Sequence, residues 1–342
     1  MTEIMTVLGP IAPEHMGITL MHEHLLSDAT PWFQMPEEAS QRAIAFGPVT
    51  IDRLGALRNA PFLSHDNCQL LDERAATEEV MEFRKAGGHT VVDPTCAGIG
   101  RDGRALQRIS RATGLNVIMG AGYYLEKAHP SRVRKMSADD IADEIERDIR
   151  QGVEGVRSGI IGEIGTSGDF TAEEEKVLRG AARAQARTGV PLEVHLDGWR
   201  RHGGRVLDVV AEEGGDLTQT ILCHMNPSGE DVDYQVALAR RGAWLEYDMV
   251  GMDFYYADQS AQSPCDEENA RALRRLRDAD LLDHVLISQD VFVKIQLLRY
   301  GGTGYAHILQ YFVPRLRRHG FTEDDITTLL IANPMRVFVG RG

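Results

Sequence analysis

The amino-acid sequence predicts a (β/α)8 TIM barrel, an α/β fold in which eight parallel strands alternate with helices. Short apolar runs alternate along the chain with longer stretches of helical periodicity. The apolar runs are continuous, which is typical of parallel strands buried on both faces. Eight such runs fit within the 342 residues, and eight is the number that closes this barrel. A doubly wound open sheet is the alternative, because a strand count does not show that the sheet closes.

The predicted strands are spread over most of the chain. They cover residues 18–24, 90–94, 116–120, 159–164, 191–196, 220–224, 243–247 and 284–288. Helical periodicity predicts helices over residues 77–86, 137–150, 171–188 and 268–279. Two of these helices begin with a capping-box pattern, Ser137 with Asp140 and Thr171 with Glu174.

Composition excludes several classes of protein. The apolar fraction of 43% supplies enough side chains for a large core. The formal net charge is −14, and an acidic surface repels phosphate backbones and anionic lipids. We therefore expect a small-molecule substrate as partner, and neither nucleic acid nor a membrane. No linker-like segment divides the sequence, so we predict one domain over residues 1–342.

The cysteines and the N-terminal segment indicate in which cellular compartment the protein is expected. The four cysteines are far apart and form no C-x-x-C pair, which argues against a disulfide framework or a thiolate zinc site. The N-terminal residues show no signal-peptide pattern, and no window approaches the roughly 18 apolar residues of a membrane span. These features predict a cytoplasmic protein.

Residues of metal-binding type stand at the ends of five predicted strands. In a barrel of this kind the catalytic groups lie at the C-terminal strand ends, so these side chains are expected to converge. The first run carries two histidines on one face, because strand side chains alternate. The residues are His22 and His24 on the first run, Glu163 on the fourth, His195 on the fifth, His224 on the sixth and Asp290 after the eighth.

This set of residues predicts a binuclear metal centre. Imidazole and carboxylate are ligands of Zn²⁺, and also of Mn²⁺, Co²⁺ and Fe²⁺. A single histidine at a strand end is more often a hydrogen-bonded core residue, so the prediction depends on the joint placement. Six ligands exceed the needs of one tetrahedral ion, which indicates two ions that share a carboxylate. The predicted arrangement has His22, His24 and Asp290 on one ion, His195 and His224 on the other, and Glu163 as the bridge.

Two adjacent ions would also define the chemistry. They lower the pKa of a shared water toward neutrality and polarise the oxygen of a substrate. The sequence therefore predicts a hydroxide nucleophile, with no need for a nucleophilic side chain.

Several segments carry a family resemblance. Residues 17–25, Gly-Ile-Thr-Leu-Met-His-Glu-His-Leu, resemble the first signature of the phosphotriesterase family in the amidohydrolase superfamily. Residues 159–165, 247–248, 301–305 and 331–334 also match, so the resemblance covers essentially the whole chain. Segments 162–165 and 244–248 are closest in pattern to the phosphotriesterase-related branch of the family.

The resemblance implies a zinc-type binuclear hydrolase, with the metal ligands distributed as above and Asp290 also acting as the general base. Much of the family bridges its metals with a carboxylated lysine, whereas this chain has Glu163, as in the phosphotriesterase-related branch. Barrels of this family are often homodimers, so the resemblance also implies a homodimer.

Substrate selection in this fold belongs to the loops that follow the strands. The family position favours Tyr124 as a hydroxyl group that contacts the substrate or the bridging water. Lys294 and Arg299 follow the eighth strand, and as cations on an acidic protein they could recognise an anionic substrate group. Packing tyrosines and solvated surface charges are the alternative interpretations.

Three functions are compatible with these residues. The first is hydrolysis of a small carboxyl ester, lactone or amide, including one with an anionic group. The second is hydrolysis of phosphotriesters or phosphodiesters with the same metals. The third is a binding protein that keeps the barrel without turnover, which the presence of every metal-ligand residue disfavours.

Overall fold

A computed structural model describes residues 3–340, and eight parallel strands form its main sheet. Each strand pairs with its sequence neighbour, so the order in the sheet follows the chain. The strands are β1 (Thr19–Leu20), β2 (Thr90–Asp93), β3 (Asn116–Ala121), β4 (Ile160–Gly165), β5 (Leu192–His195), β6 (Thr220–Leu222), β7 (Trp244–Tyr247) and β8 (Val285–Ile287).

The sheet closes between β8 and β1, just beyond the C-terminal ends of both strands. The amide of Asp290 donates to the carbonyl of His22 at 3.2 Å, and the amide of His24 donates to the carbonyl of Val291 at 3.2 Å. The His22 amide also donates to the Ser288 hydroxyl at 2.9 Å. These bonds confirm the barrel and exclude the doubly wound open sheet.

Helices connect successive strands, and the predicted ones are present. The connecting helices are α1 (Glu73–Lys85), α2 (Gly103–Thr113), α3 (Ala138–Arg150), α4 (Ala172–Thr188), α5 (Gly203–Glu212), α6 (Val232–Arg240) and α7 (Asp266–Asp278). After β8 the chain forms α8 (Val313–Arg318), α9 (Glu323–Thr327) and α10 (Asn333–Val339), with π-helical turns at Ile308–Phe312 and Thr328–Ala332.

Local sequence explains where these helices begin. The predicted capping boxes at Ser137 and Thr171 are both formed. The first long helix begins at Glu73, four residues earlier than predicted, because the Asp72 side chain accepts hydrogen bonds from the amides of Arg74 and Ala75.

Shorter elements lie outside the barrel wall. Helical turns at Arg42–Phe46 and Leu54–Asn59 belong to the long connection after β1. Three antiparallel pairs complete the described strands: Ile4–Thr6 with Gly9–Ile11, Ser27–Asp28 with Gln69–Leu70, and Tyr255–Tyr256 with Ala261–Gln262. Within residues 3–340, no helix has both the length and the apolar character needed to cross a bilayer.

The core has two layers that follow the alternation of strand side chains. One face of each strand packs against the helices, as Val91 and Leu245 do. The other face fills the barrel interior, where Val92, Ile118 and Trp244 are fully buried. On this inward face, the C-terminal strand ends carry polar residues instead of apolar ones. The apolar interior therefore supports a polar layer at the mouth of the barrel.

Candidate active site

All six predicted metal ligands converge at the C-terminal end of the barrel. They form overlapping groups whose ligand atoms lie within 4.8 Å of one another in each group. Five of the six side chains are buried, and His195 is intermediate. The groups are His22, His24 and Glu163; Glu163, His195 and His224; and His22, His224 and Asp290.

Glu163 lies at the centre and presents one oxygen to each pair of histidines. Its Oε2 lies 3.6 Å from Nε2 of His22 and 3.8 Å from Nε2 of His24. Its Oε1 lies 2.7 Å from Nδ1 of His195 and 3.0 Å from Nε2 of His224. This is the arrangement expected of a carboxylate that bridges two ions.

Asp290 lies next to His22 and His24. Its Oδ1 lies 3.3 Å from Nε2 of His24 and 3.7 Å from Nε2 of His22. Both ring nitrogens of His22 are buried and neither makes a hydrogen bond of good geometry among the described residues, but Nδ1 contacts Glu193 at 2.6 Å whereas Nε2 has no contact that short with Glu163 or Asp290. A buried nitrogen that faces two carboxylates without a hydrogen bond fits a cation between them. The donor set of imidazole and carboxylate is one that divalent transition metals accept.

Further side chains orient three of the four imidazoles from behind. Thr95 Oγ1 lies 2.8 Å from Nδ1 of His24. Asp248 Oδ1 lies 2.9 Å from Nδ1 of His224. Glu193 Oε1 lies 2.6 Å from Nδ1 of His22. Partners of this kind fix the orientation and tautomer of metal-binding histidines.

The backbone is unusual at two of the predicted ligands. His224 has φ of 57° and Asp290 has φ of 48°, in the left-handed region that residues other than glycine rarely adopt. Such conformations persist where the surrounding structure holds them, and they cluster at functional sites. Gly162, before Glu163, has φ of +136°, and a Cβ there would lie 2.5 Å from the carbonyl oxygen of Glu193. The position of Glu163 thus requires glycine before it.

Opposite charges within the cluster shift its protonation. Burial alone would lower the pKa of His22, but Glu163 and Glu193 raise that pKa well above its ordinary value. Burial alone would raise the pKa of Glu163, but His22 and His195 hold it well below its ordinary value. Imidazolium and carboxylate thus neutralise each other when no ion is bound. A divalent ion would replace these protons.

A cavity of about 680 Å³ opens above the cluster, with His24, Glu163, His195, His224 and Asp290 among the residues at its surface. Tyr124 lines this cavity, and its hydroxyl lies 3.1 Å from Nδ1 of His195. Tyr124 therefore lies at the surface of the cavity, beside one of the predicted ligands. The aromatic walls of the cavity are Trp32, Phe62, Trp199, Tyr256 and Phe292.

Lys294 and Arg299, which the sequence offers as cations for an anionic substrate group, lie away from this cavity. Lys294 Nζ is 2.5 Å from Asp66 Oδ1. Arg299 is paired with Glu78 at 2.6 Å and with Glu79 at 3.3 Å. Both cations therefore tie the segment after β8 to other parts of the chain, and neither is among the residues that line the cavity.

Sequence reasoning did not find several residues of the site. Arg200, after β5, is exposed and is the only lysine or arginine among the described cavity-lining residues. Trp32 and Phe62 come from the long connection after β1, whose path the sequence pattern does not indicate. The sequence pattern does single out Glu193 and Glu246, because each is an acidic residue within an apolar strand.

Known proteins match almost the whole length of the chain. The model of the phosphotriesterase family matches residues 2–338. N-acetyltaurine hydrolase of Danio rerio is 35% identical over 339 residues, with 98% of this chain and 97% of that protein covered. The fold and the named relative define a barrel hydrolase. The chain belongs to the phosphotriesterase family.

Solved structures extend the comparison. A resiniferatoxin-binding protein from Rhodobacter sphaeroides is 55% identical, with a TM-score of 0.97 and coverage of 98% of this chain and 95% of that one. The phosphotriesterase homology protein of Escherichia coli, solved with phosphate in its active site, is 29% identical, with a TM-score of 0.78 and coverage of 94% and 98%. These similarities confirm the barrel, and the named relatives identify the chain as a hydrolase of this family.

Proposed function

We propose that this chain is a binuclear metal-dependent hydrolase that cleaves small N-acyl amides carrying an anionic group, with carboxyl esters and lactones as related substrates. The observation that carries the proposal is the position of Glu163, with one carboxylate oxygen facing His22 and His24 and the other facing His195 and His224. We assign the first ion to His22, His24 and Asp290, and the second to His195 and His224.

The metals supply one part of this chemistry. When bound, two divalent ions would acidify a water molecule and polarise the acyl oxygen of the substrate. The donor set suits Zn²⁺ first, with Mn²⁺, Co²⁺ or Fe²⁺ as alternatives.

The chain's own residues supply the rest. Asp290 takes the proton that leaves the attacking water and passes it to the departing nitrogen or oxygen. Burial alone would raise the pKa of Asp290, but His24 and His22 hold it below its ordinary value when no ion is bound. The Tyr124 hydroxyl, 3.1 Å from His195, is positioned to donate to the substrate. The aromatic walls exclude water from the reacting groups.

Arg200 supports the choice of an anionic substrate. It lines the cavity, and no carboxylate of residues 3–340 forms an ion pair with it, whereas Lys294 and Arg299 are both paired elsewhere. A guanidinium group that is free to reorient can bind carboxylate or sulfonate through two parallel hydrogen bonds. The relatives named N-acetyltaurine hydrolase support the amide as the bond that is cleaved.

A substrate panel tests the proposal. The zinc-loaded protein would be assayed on N-acetyl amino acids and N-acetyl aminosulfonates, on matched neutral N-acetyl amines, and on a lactone, an aryl acetate and an aryl phosphotriester. We expect an anionic N-acyl amide to exceed about 10⁴ M⁻¹s⁻¹ in kcat/KM. We also expect Asp290→Asn to abolish this activity. If only neutral substrates turn over at that rate, the proposed substrate class is wrong.

Arg200→Ala tests the recognition of the anion. We expect KM for the anionic amide to rise by about tenfold or more, with little change for its neutral analogue. Arg201→Ala is the matched control, because Arg201 is adjacent but paired with Asp231 at 3.1 Å and does not line the cavity. An equal effect of both variants would contradict the role of Arg200.

Two other functions are outcomes of the same panel. Efficient turnover of the phosphotriester alone would establish the organophosphate alternative. Binding without turnover would match the description of the Rhodobacter sphaeroides relative as a binding protein. Against that alternative, every metal-ligand residue is present here and the six residues are brought together.

The assembly and location rest on the family resemblance and on composition. We propose that residues 1–342 form one catalytic domain and that the chain is a cytoplasmic homodimer. Light scattering of the purified protein would measure the mass of the assembly, and a monomer would contradict the dimer.

A further inference from the structure

The barrel interior below the metal ligands contains a second polar cluster that the proposed reaction does not use. Nδ1 of His22 faces three carboxylates: Glu193 Oε1 at 2.6 Å, Glu246 Oε2 at 3.5 Å and Asp248 Oδ2 at 3.6 Å. All four side chains are fully buried, and none lies at the surface of the cavity. A charged group in such a place is destabilising unless a proton or a cation lies between the acids.

The three carboxylates are not equivalent. Asp248 is engaged by His224, accepting from its backbone amide at 2.9 Å and lying 2.9 Å from its Nδ1. Glu246 Oε2 is 3.5 Å from the thiol of Cys223 and no closer to His22. Glu193 is therefore the acid whose nearest polar contact is the His22 imidazole.

Resting on the proposed function, we propose that Glu193 is a positioning residue for the metal centre. It keeps the proton of His22 on Nδ1 and so directs the Nε2 lone pair at Glu163 and Asp290. Both Nε2 distances, 3.6 Å and 3.7 Å, leave room for an ion between these groups. The strand explains the placement, because Glu193 on β5 faces the barrel interior between Leu192 and Val194, which pack outward against the helices.

His22, Glu193, Cys223 and Glu246 also lie close enough together to hold an ion. Zinc content therefore has to distinguish an ion in this cluster from a proton held between Glu193 and His22.

Zinc affinity measured by competition with a chelator tests the role of Glu193, with zinc content measured by mass spectrometry. Glu193→Leu removes the acceptor at nearly constant volume, and we expect zinc affinity at the site that contains His22 to fall by about 10-fold to 100-fold. Glu193→Gln keeps an acceptor oxygen and is expected to remain within a few-fold of the unaltered protein. Glu246→Gln is the matched control in the same cluster and should bind zinc normally.

Thermal unfolding of the metal-free protein separates positioning from a structural role. Removing one partner of a buried charge pair is destabilising when the other charge is left unpaired, but Glu246 and Asp248 still face Nδ1 of His22 in Glu193→Leu. We expect the metal-free Glu193→Leu and Glu193→Gln variants to unfold at similar temperatures, whereas only Glu193→Leu binds zinc more weakly. Unchanged zinc affinity in this variant would overturn the proposal, and so would an equal loss in Glu246→Gln.

Two measurements on the unaltered protein test the proposal without relying on the folding of any variant. Neutron diffraction of the zinc-loaded protein should show a proton on Nδ1 of His22 and none on Nε2, and the reverse would overturn the proposal. A content of three zinc ions per chain would also overturn it, because the lower cluster would then bind metal itself. Failure of the substrate panel alone leaves these measurements unaffected, so the two proposals fail separately.

Discussion

Nε2 of His224 lies 2.7 Å from Nδ1 of His195, and Oε1 of Glu163 lies within 3.0 Å of both nitrogens. The other nitrogen of His224 is 2.9 Å from Asp248, so a neutral His224 carries its proton there and directs a lone pair at His195. Two imidazole nitrogens and a carboxylate that face one point need a proton or a metal ion between them. We interpret this point as one of two ion sites joined by Glu163.

Removal of metal should destabilise the protein. Chelation takes away a ligand that binds only the folded state, so we expect the unfolding temperature to fall by roughly 5–10 °C. Differential scanning calorimetry with and without added Zn²⁺ measures this change. Because a bound proton competes with the ion on His22, the stabilisation by Zn²⁺ should shrink as pH falls. A pH-independent zinc effect would contradict this competition.

Glu163→Ala should reduce bound metal as well as activity. Without a carboxylate between the two groups of histidines, we expect fewer than two ions per chain and a loss of kcat/KM of about 10³-fold or more. Glu163→Gln keeps the shape but only one strong acceptor, and it should retain metal better than Glu163→Ala. Metal content by mass spectrometry distinguishes these variants, and two ions in Glu163→Ala would exclude a bridging role.

Tyr124→Phe should affect the reaction more than the fold. The variant removes a hydroxyl that lies 3.1 Å from Nδ1 of His195 but keeps the ring that contacts Trp32. We expect kcat/KM to fall by about 10-fold to 100-fold while the unfolding temperature stays within about 2 °C. Steady-state kinetics with a calorimetric scan checks both. An unchanged kcat/KM would identify Tyr124 as a packing residue.

Lys294→Ala should affect stability and leave substrate recognition unchanged. Burial alone would raise the pKa of Asp66, but its hydrogen bonds from Lys294 and the Val49 amide hold the pKa below its ordinary value. A depressed pKa stabilises the fold above the unfolded value of about 3.9, and this contribution is lost as pH falls through the folded value. We expect a loss of up to about 1 kcal/mol at pH 7 that shrinks as pH falls below the unfolded value of about 3.9.

Urea unfolding at several pH values measures this loss. The KM for anionic substrates serves as the second measurement on Lys294→Ala. A rise in KM comparable with that of Arg200→Ala would show that Lys294 contributes to substrate recognition.

The barrel and the convergence of the six candidate ligands were predictable because both depend on local patterns. Continuous apolar runs identified all eight strands, and the residue type at each strand end identified the side chains that converge. In a barrel the C-terminal ends of the strands lie at one face, and this does not depend on the conformation of the loops. Once the fold is known, His22 and Asp290 must therefore lie together despite their separation along the chain.

The substrate side of the site was not predictable in the same way. Lys294 and Asp66 are 228 residues apart in sequence, and no periodicity indicates that two loops meet. Trp32 and Phe62 reach the cavity through a long connection whose course depends on tertiary packing. Glu193 was accessible in principle, because an acid at an inward position of an apolar strand requires a partner in the barrel interior.

The bridging role of Glu163 is tested most directly by an anomalous-diffraction structure of the zinc-loaded protein. We expect two zinc ions, one contacted by Oε2 of Glu163 with His22 and His24, and the other by Oε1 with His195 and His224. A single ion, or two ions with the Glu163 carboxylate turned away from either one, would contradict the binuclear centre.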